Sequence, residues 1–311
     1  MLSRTAENLY WTGRYVERAE NTARTLDVSL RAALQRGLAA EPADDWDSVV
    51  DFVGERGRFE AKYRSATVEA ITTFVVLDED NPSSIRSCFW VARENMRALR
   101  STISSEMWET VNSAWLTVRD FDRTTLRSRG AREICEWVVG RSQLFLGISH
   151  GTTLHDDAFH FIRLGTYLER ADNTARFLDA KYTRLESAAD SPATAYYAWG
   201  AVLRSLGAFR AYRQAFRDIV EGDKVAELLL LQRDMPRSLR FCAQEVLGHL
   251  DYLGKNRDLE CQRLAGELHA RLRFARMDRL LEAGVHNFLS EVIDRLVVLG
   301  QQISKDFLMT V

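Results

Sequence analysis

The chain has 311 residues, 46% of them hydrophobic and 28% charged, with a formal net charge of −2 from 42 basic and 44 acidic side chains. That composition can bury a core, and it excludes disordered, collagen-like and disulfide-scaffold classes. The near-neutral balance lacks the electrostatic footprint of a protein for nucleic acid or an anionic membrane.

Only four prolines are present. Average usage is roughly 5%, and an interior proline costs a helix about 3 kcal/mol, so the scarcity points to long helices. A first helix is expected over 3–36, with Ser3 near its start and apolar positions at spacings of three, four and seven. Residues 37–47 read as a loop. Helices follow over 59–78, from Pro82 to about Ser101, and over 105–127 and 131–148. Pro82 suits a first helical turn, where its missing N–H costs nothing. The second half opens with a helix over 153–187. Ser191-Pro192 caps the next, and further helices lie at 206–220, 223–232, 236–253, 256–273 and 277–308. No stretch alternates apolar and polar residues with β-branched enrichment, so no strands are expected. The expected fold class is an all-α, soluble helical bundle.

The organisation reads as a duplication. Residues 13–27 (GRYVERAENTARTLD) and 165–179 (GTYLERADNTARFLD) are identical at eleven of fifteen positions. A fainter echo sets Pro82, Ser84, Arg86 and Cys88 against Pro236, Ser238, Arg240 and Cys242. A single domain over 1–311 is expected, built from two pseudo-symmetric repeats at 1–150 and 151–311.

Within the first repeat, Glu17, Glu20, Asn21 and Arg24 share one helix face, with Arg18 on the flank. Glu169, Asp172, Asn173 and Arg176, flanked by Arg170, reproduce that face in the second. Asn and Thr are mediocre helix formers, and a face needing only solubility would not require them. Such a stripe suits a polar cleft between the copies that accepts an amine, clamps a carboxylate or holds a cation. The same residues also suit internal Glu–Arg register pins, hydrogen-bonded and chemically inert.

The segments LSRTAENLYWTGRYVERAENTAR, NPSSIRSCFWVARENMRALRSTISSEMWETVN and HDDAFHFIRLGTYLERADNTARFLD resemble the bacterial alpha-E domain family, across essentially the whole chain. The resemblance implies an all-helical cytoplasmic protein whose Glu-Arg motif falls at Glu17-Arg18 and Glu169-Arg170. It also implies a setting. Relatives are encoded beside, or fused to, a circularly permuted ATP-grasp ligase, often near a transglutaminase-like protease, and a role in peptide or amide synthesis has been proposed for them. The implied partner is therefore an ATP-grasp-type ligase, with a small peptide or amino acid as ligand, and no nucleic acid or membrane. The alternative is a non-catalytic scaffold that docks a partner enzyme.

Other features carry less. Ser84 and Arg86, with Arg237 and Ser238, mark matched helix starts that suit either capping or an anion. Five lysines leave 37 arginines, which reflects base composition or many bidentate contacts. Arg210, Tyr212 and Arg213 form an Arg/Tyr cluster of unassigned role, and Arg93-Glu94-Asn95 with Arg97 repeats the Glu-Asn flavour. His150, His155 and His160 at spacings of five do not share a helix face, no metal set is assigned, and Asp156 or Asp157 reads as a helix cap. Trp11, Trp90, Trp108, Trp115 and Trp137 read as core. No phosphate loop, nucleophile elbow or zinc-protease motif is present and no cofactor is expected. Cys88, Cys135, Cys242 and Cys261 read as buried free thiols. The start of the chain lacks a secretory apolar region and no run approaches the roughly 18 residues of a membrane span, so the expected location is the cytoplasm.

Overall fold

A computed structural model describes residues 2–36, 43–188, 192–255 and 257–308. Among them the chain forms α-helices and no strands. The first eight are α1 (Ser3–Arg36), α2 (Ala43–Val53), α3 (Arg56–Lys62), α4 (Val68–Val76), α5 (Ile85–Arg97), α6 (Ser105–Arg119), α7 (Arg123–Arg129) and α8 (Ala131–Gly151). The next eight are α9 (Asp157–Ala188), α10 (Pro192–Ser205), α11 (Phe209–Phe216), α12 (Gly222–Leu231), α13 (Leu239–Gly254), α14 (Glu260–Arg273), α15 (Met277–Ala283) and α16 (Val285–Phe307).

The all-α class holds, but the helices are more finely divided than periodicity indicates. Residues 43–47, expected as loop, open α2. The expected helix over 59–78 is two helices, because Thr67 is extended and its side chain accepts the Ala70 N–H, capping α4 afresh. The expected 105–127 helix breaks at Asp122, whose carboxylate accepts from the Thr125 N–H at 2.6 Å. The expected 277–308 helix breaks at Gly284, which takes φ 89°, a conformation that disfavours any side chain. Apolar periodicity runs straight through such breaks, since the flanking helices face the same core. Pro42 and Ser191 lie outside the described residues.

Pro82 and Pro236 do not occupy the first helical turns. Each sits in a turn two residues before an N-cap, Ser84 for α5 and Ser238 for α13. Asn81 organises the first of these turns: its amide donates to the Phe74 carbonyl at 3.0 Å and its side-chain oxygen accepts the Ser83 N–H at 2.9 Å. The Cys88 and Cys242 thiols point back to the Pro82 and Pro236 carbonyls.

The chain divides into two compact units, one of residues 8–162 and the other of residues 1–7 with 163–311. In the first, α6 lies against α5 and α8. Its core gathers Leu26, Trp46, Phe74, Ile85, Phe89 and Val138. In the second, α14 lies against α13 and α16, around Leu229, Leu250, Leu268, Leu289 and Leu299. All four cysteines are free and buried. Trp90 departs from expectation: it is 50% exposed and does not belong to a core.

The Ser238 hydroxyl is buried, accepting from the Phe241 N–H and donating to the Gln232 carbonyl. Ser238→Ala removes both bonds and is expected to cost about 1–2 kcal/mol in urea unfolding. Ser128→Ala, at an exposed position on α7, is expected to stay within about 0.5 kcal/mol.

Candidate functional site

Ten of the sequence-derived candidates fall in the middle of α1 and α9, the two longest helices described, and each set belongs to its own unit. Glu17 is 1% exposed, Glu20 2% and Glu169 3%; Asn21 and Arg170 are also buried, while Asp172, Asn173, Arg24 and Arg18 are partly so and Arg176 is exposed. A carboxylate this deep is costly unless bonded within the protein. The bonds lie one turn away. Asn21 donates to Glu17 Oε1 at 3.3 Å, and Arg24 Nε to Glu20 Oε1 at 2.7 Å. On α9, Asn173 donates to Glu169 Oε1 at 3.5 Å, and Arg176 Nε reaches both Asp172 oxygens at 3.0 Å. The Glu-Arg dipeptides share a second feature. Arg18 lies over the Tyr15 ring at 5.1 Å, and Arg170 over the Tyr167 ring at 5.4 Å. A cation over an aromatic face is held by the ring quadrupole.

The sequence reading missed four contributors. Tyr15 and Tyr167 are the aromatic seats. Asp27 takes Arg31 at 2.7 Å and Arg132 of α8 at 3.2 Å. Asp179, at the matching place, takes the ring of His286 of α16 at 2.6 Å. All four residues lie inside the duplicated fifteen-residue segment, and their identity at matching positions was the available signal. Beside Glu17, the Ser142 hydroxyl of α8 donates to the Val16 carbonyl at 3.3 Å. A third Glu-Arg dipeptide, Glu55-Arg56, lies at the surface start of α3, with Arg56 on Asp51.

The candidate anion residues are engaged within the chain. Ser84 and Ser238 cap α5 and α13. Arg86 donates to the Arg119 and Phe121 carbonyls near the end of α6, and Arg237 is buried. The three histidines do not lie on one helix. His150 ends α8, His155 stacks on Phe159 from the connecting loop, and His160 is in α9. Asp156 caps α9 through the Ala158 N–H. A cleft near the start of α6 is lined by Thr102, Ser104, Thr152 and Thr153 over Met107 and Phe159, and no Glu-Arg residue reaches it. Among the described residues, no three His, Cys, Asp or Glu side chains converge as metal ligands.

The sequence pattern of the Alpha-E family, described as a predicted alpha-helical domain with a conserved ER motif, matches residues 1–308. The chain belongs to the Alpha-E family. An uncharacterized protein of Mycobacterium bovis and one of Mycobacterium tuberculosis are each 23% identical to it over 312 aligned positions, covering 94% of this chain and 35% of the relative. A further uncharacterized Mycobacterium tuberculosis protein is 22% identical over the same span. The chain thus spans about a third of the length of the curated relatives it matches. No solved structure matches it. Among the described residues no helix is long and apolar enough to cross a membrane.

Burial holds the Cys135 thiol far above its ordinary range, with Asp27 and Glu136 adding to the effect. Burial and the bond to Asp306 do the same for Cys261. Both thiols are expected to resist a disulfide reagent at pH 8 in the native protein and to react at once in denaturant, as followed by thiol titration. For His160, burial and then His155 lower the pKa from the ordinary 6.5. The unfolded chain therefore binds more protons below pH 6.5. That stability is fully present above pH 6.5 and is lost as pH falls through the lowered pKa. His160→Gln is expected to flatten the acid limb of a stability-versus-pH curve.

Proposed function

We propose that this Alpha-E protein is an accessory, ligand-binding component of a cytoplasmic ATP-grasp-linked peptide or amide ligation system, built from two copies of one helical unit. The duplication is supported by helix spacing. The pairs α4 and α12, α5 and α13, α7 and α15, and α8 and α16 each start 154 residues apart. Asp27 with Arg132 and Asp179 with His286 add a matched pair of tertiary contacts.

The functional reading rests on one observation: a glutamate buried to 1–3%, bonded by an asparagine amide one turn on and flanked by an arginine over a tyrosine, occurs on both long helices. In this reading Glu17 and Glu169 hold the amine of a small peptide or amino acid, while Arg18, Arg24, Arg170 and Arg176 hold its carboxylate or a phosphate. Binding suits these groups better than proton abstraction. A general base must have its carboxylate free to reach the proton it takes, and Glu17 and Glu169 are already bonded to Asn21 and Asn173. A second reading, the Glu–Arg pairs as register pins of a scaffold that docks a partner enzyme, is favoured by the depth of Glu17 and its bond to Asn21.

Glu17→Gln, close to isosteric, separates the two. Under ligand binding, the variant melts within about 3 °C of the parent and abolishes activity of the system reconstituted with its ATP-grasp partner. Under the pin reading it melts lower and retains activity in proportion to the folded fraction. The expected outcome is the first, with an ATP-grasp protein recovered by affinity purification and identified by mass spectrometry.

A further inference from the structure

Residues 192–217 contain no Asp, Glu or Lys and four arginines, in a chain that otherwise carries 44 acidic residues. All four, Arg204, Arg210, Arg213 and Arg217, are exposed. Arg210, Arg213 and Arg217 fall at spacings of three and four, so they share the outer face of α11 and its C-cap, and that face spans about 10 Å. Arg204 ends α10 and lies over the Phe209 ring at 4.5 Å.

Elsewhere many of the exposed arginines are ion-paired. Arg263 takes Glu260 and Glu267, Arg276 takes Asp278, and Arg279 takes Glu282. Among the described residues, none of the four arginines of this stretch takes a carboxylate. The nearest acids in sequence, Asp218 and Glu221, are both held by Lys224, at 2.6 and 2.9 Å. Arg217 also adopts the left-handed conformation, φ 51°, that favours glycine at a helix end. The patch is held firm from below, because buried Tyr212 donates to the Ile219 carbonyl and accepts the Glu221 N–H.

We propose that this face of α10 and α11 is a docking surface for an acidic segment of a protein partner. Guanidinium forks match carboxylates bidentately, which suits arginine over lysine. Tyr197, 68% exposed and two turns before Arg204, and Ile219, exposed beyond Arg217, supply apolar contact at the two ends. Tyrosine and arginine together are the residues that anchor protein interfaces. A nucleic-acid strand fits less well, since four cations on a chain of net charge −2 make a short, local field. The surface is independent of the role assigned to the Glu-Arg helices.

The test is fluorescence anisotropy of the full chain at low salt with a labelled polyglutamate peptide of about 12 residues, against polyglutamine and oligothymidylate of equal length. Two triple variants lose the same charge: Arg210→Ala/Arg213→Ala/Arg217→Gly in the patch, and Arg263→Ala/Arg276→Ala/Arg279→Ala among the paired arginines. Circular dichroism checks that both fold. The expected result is salt-sensitive polyglutamate binding, weakened about ten-fold or more in the patch variant and changed less than about two-fold in the control. The proposal is overturned by no polyglutamate binding in the parent or by equal effects of the two variants. Tighter, patch-dependent binding of oligothymidylate also overturns it and assigns the surface to nucleic acid.

Discussion

The constraint on which the two long helices depend is the burial of charge inside them. Glu17, Glu20 and Glu169 are almost wholly removed from water, and an uncompensated carboxylate at such depth would cost several kcal/mol. Compensation has to be within hydrogen-bond reach. On a helix, the side chains within reach are one turn away. Asn21 and Asn173 therefore stand where helix propensity alone would prefer alanine or leucine, and Arg24 and Arg176 follow on the next face position. Local helix preference yields here to the need to solvate an internal charge.

The remaining architecture is punctuated by residues that stop helices. Extended Ser84 and Ser238 each accept a free N–H in the first turn of α5 and α13, from Ser87 and Phe241, and Gly130 and Gly284 turn the chain with positive φ before α8 and α16. These devices keep α6 beside α5 and α8, and α14 beside α13 and α16. Those placements bring Arg132 to Asp27 and His286 to Asp179, each within a single unit. Helix stops of this kind determine which distant side chains meet the duplicated segment.

Charge on the surface follows a different rule. Several exposed arginines sit in short ion pairs with carboxylates three or four residues away, as along α14 and α15. Pairs of this kind contribute little stability, but they do neutralise the local field. The stretch that ends α10 and forms α11 lacks the acids to do so, and its arginines stand out for that reason.

Much of this was legible in the sequence. The extent of α1, the absence of strands among the described residues, and the one-turn pairing of Glu17 with Asn21 and of Glu20 with Arg24 follow from spacing, because an α-helix converts intervals of three and four into neighbours. The breaks at Thr67, Asp122 and Gly284 were not legible. A capping side chain or a single left-handed residue acts on one turn and leaves apolar periodicity unchanged. Arg132 and His286, the distant partners of Asp27 and Asp179, lie 105 and 107 residues away, and no local rule encodes contact at that range. Burial was likewise a tertiary outcome: it placed Glu17 inside and Trp90 half outside, against the preference of each residue type, because helix packing decides which face meets water. The sequence by itself determined the all-helical class and the short-range pairs on the two long helices. Only the tertiary structure decided which charges were buried and which distant residues completed them.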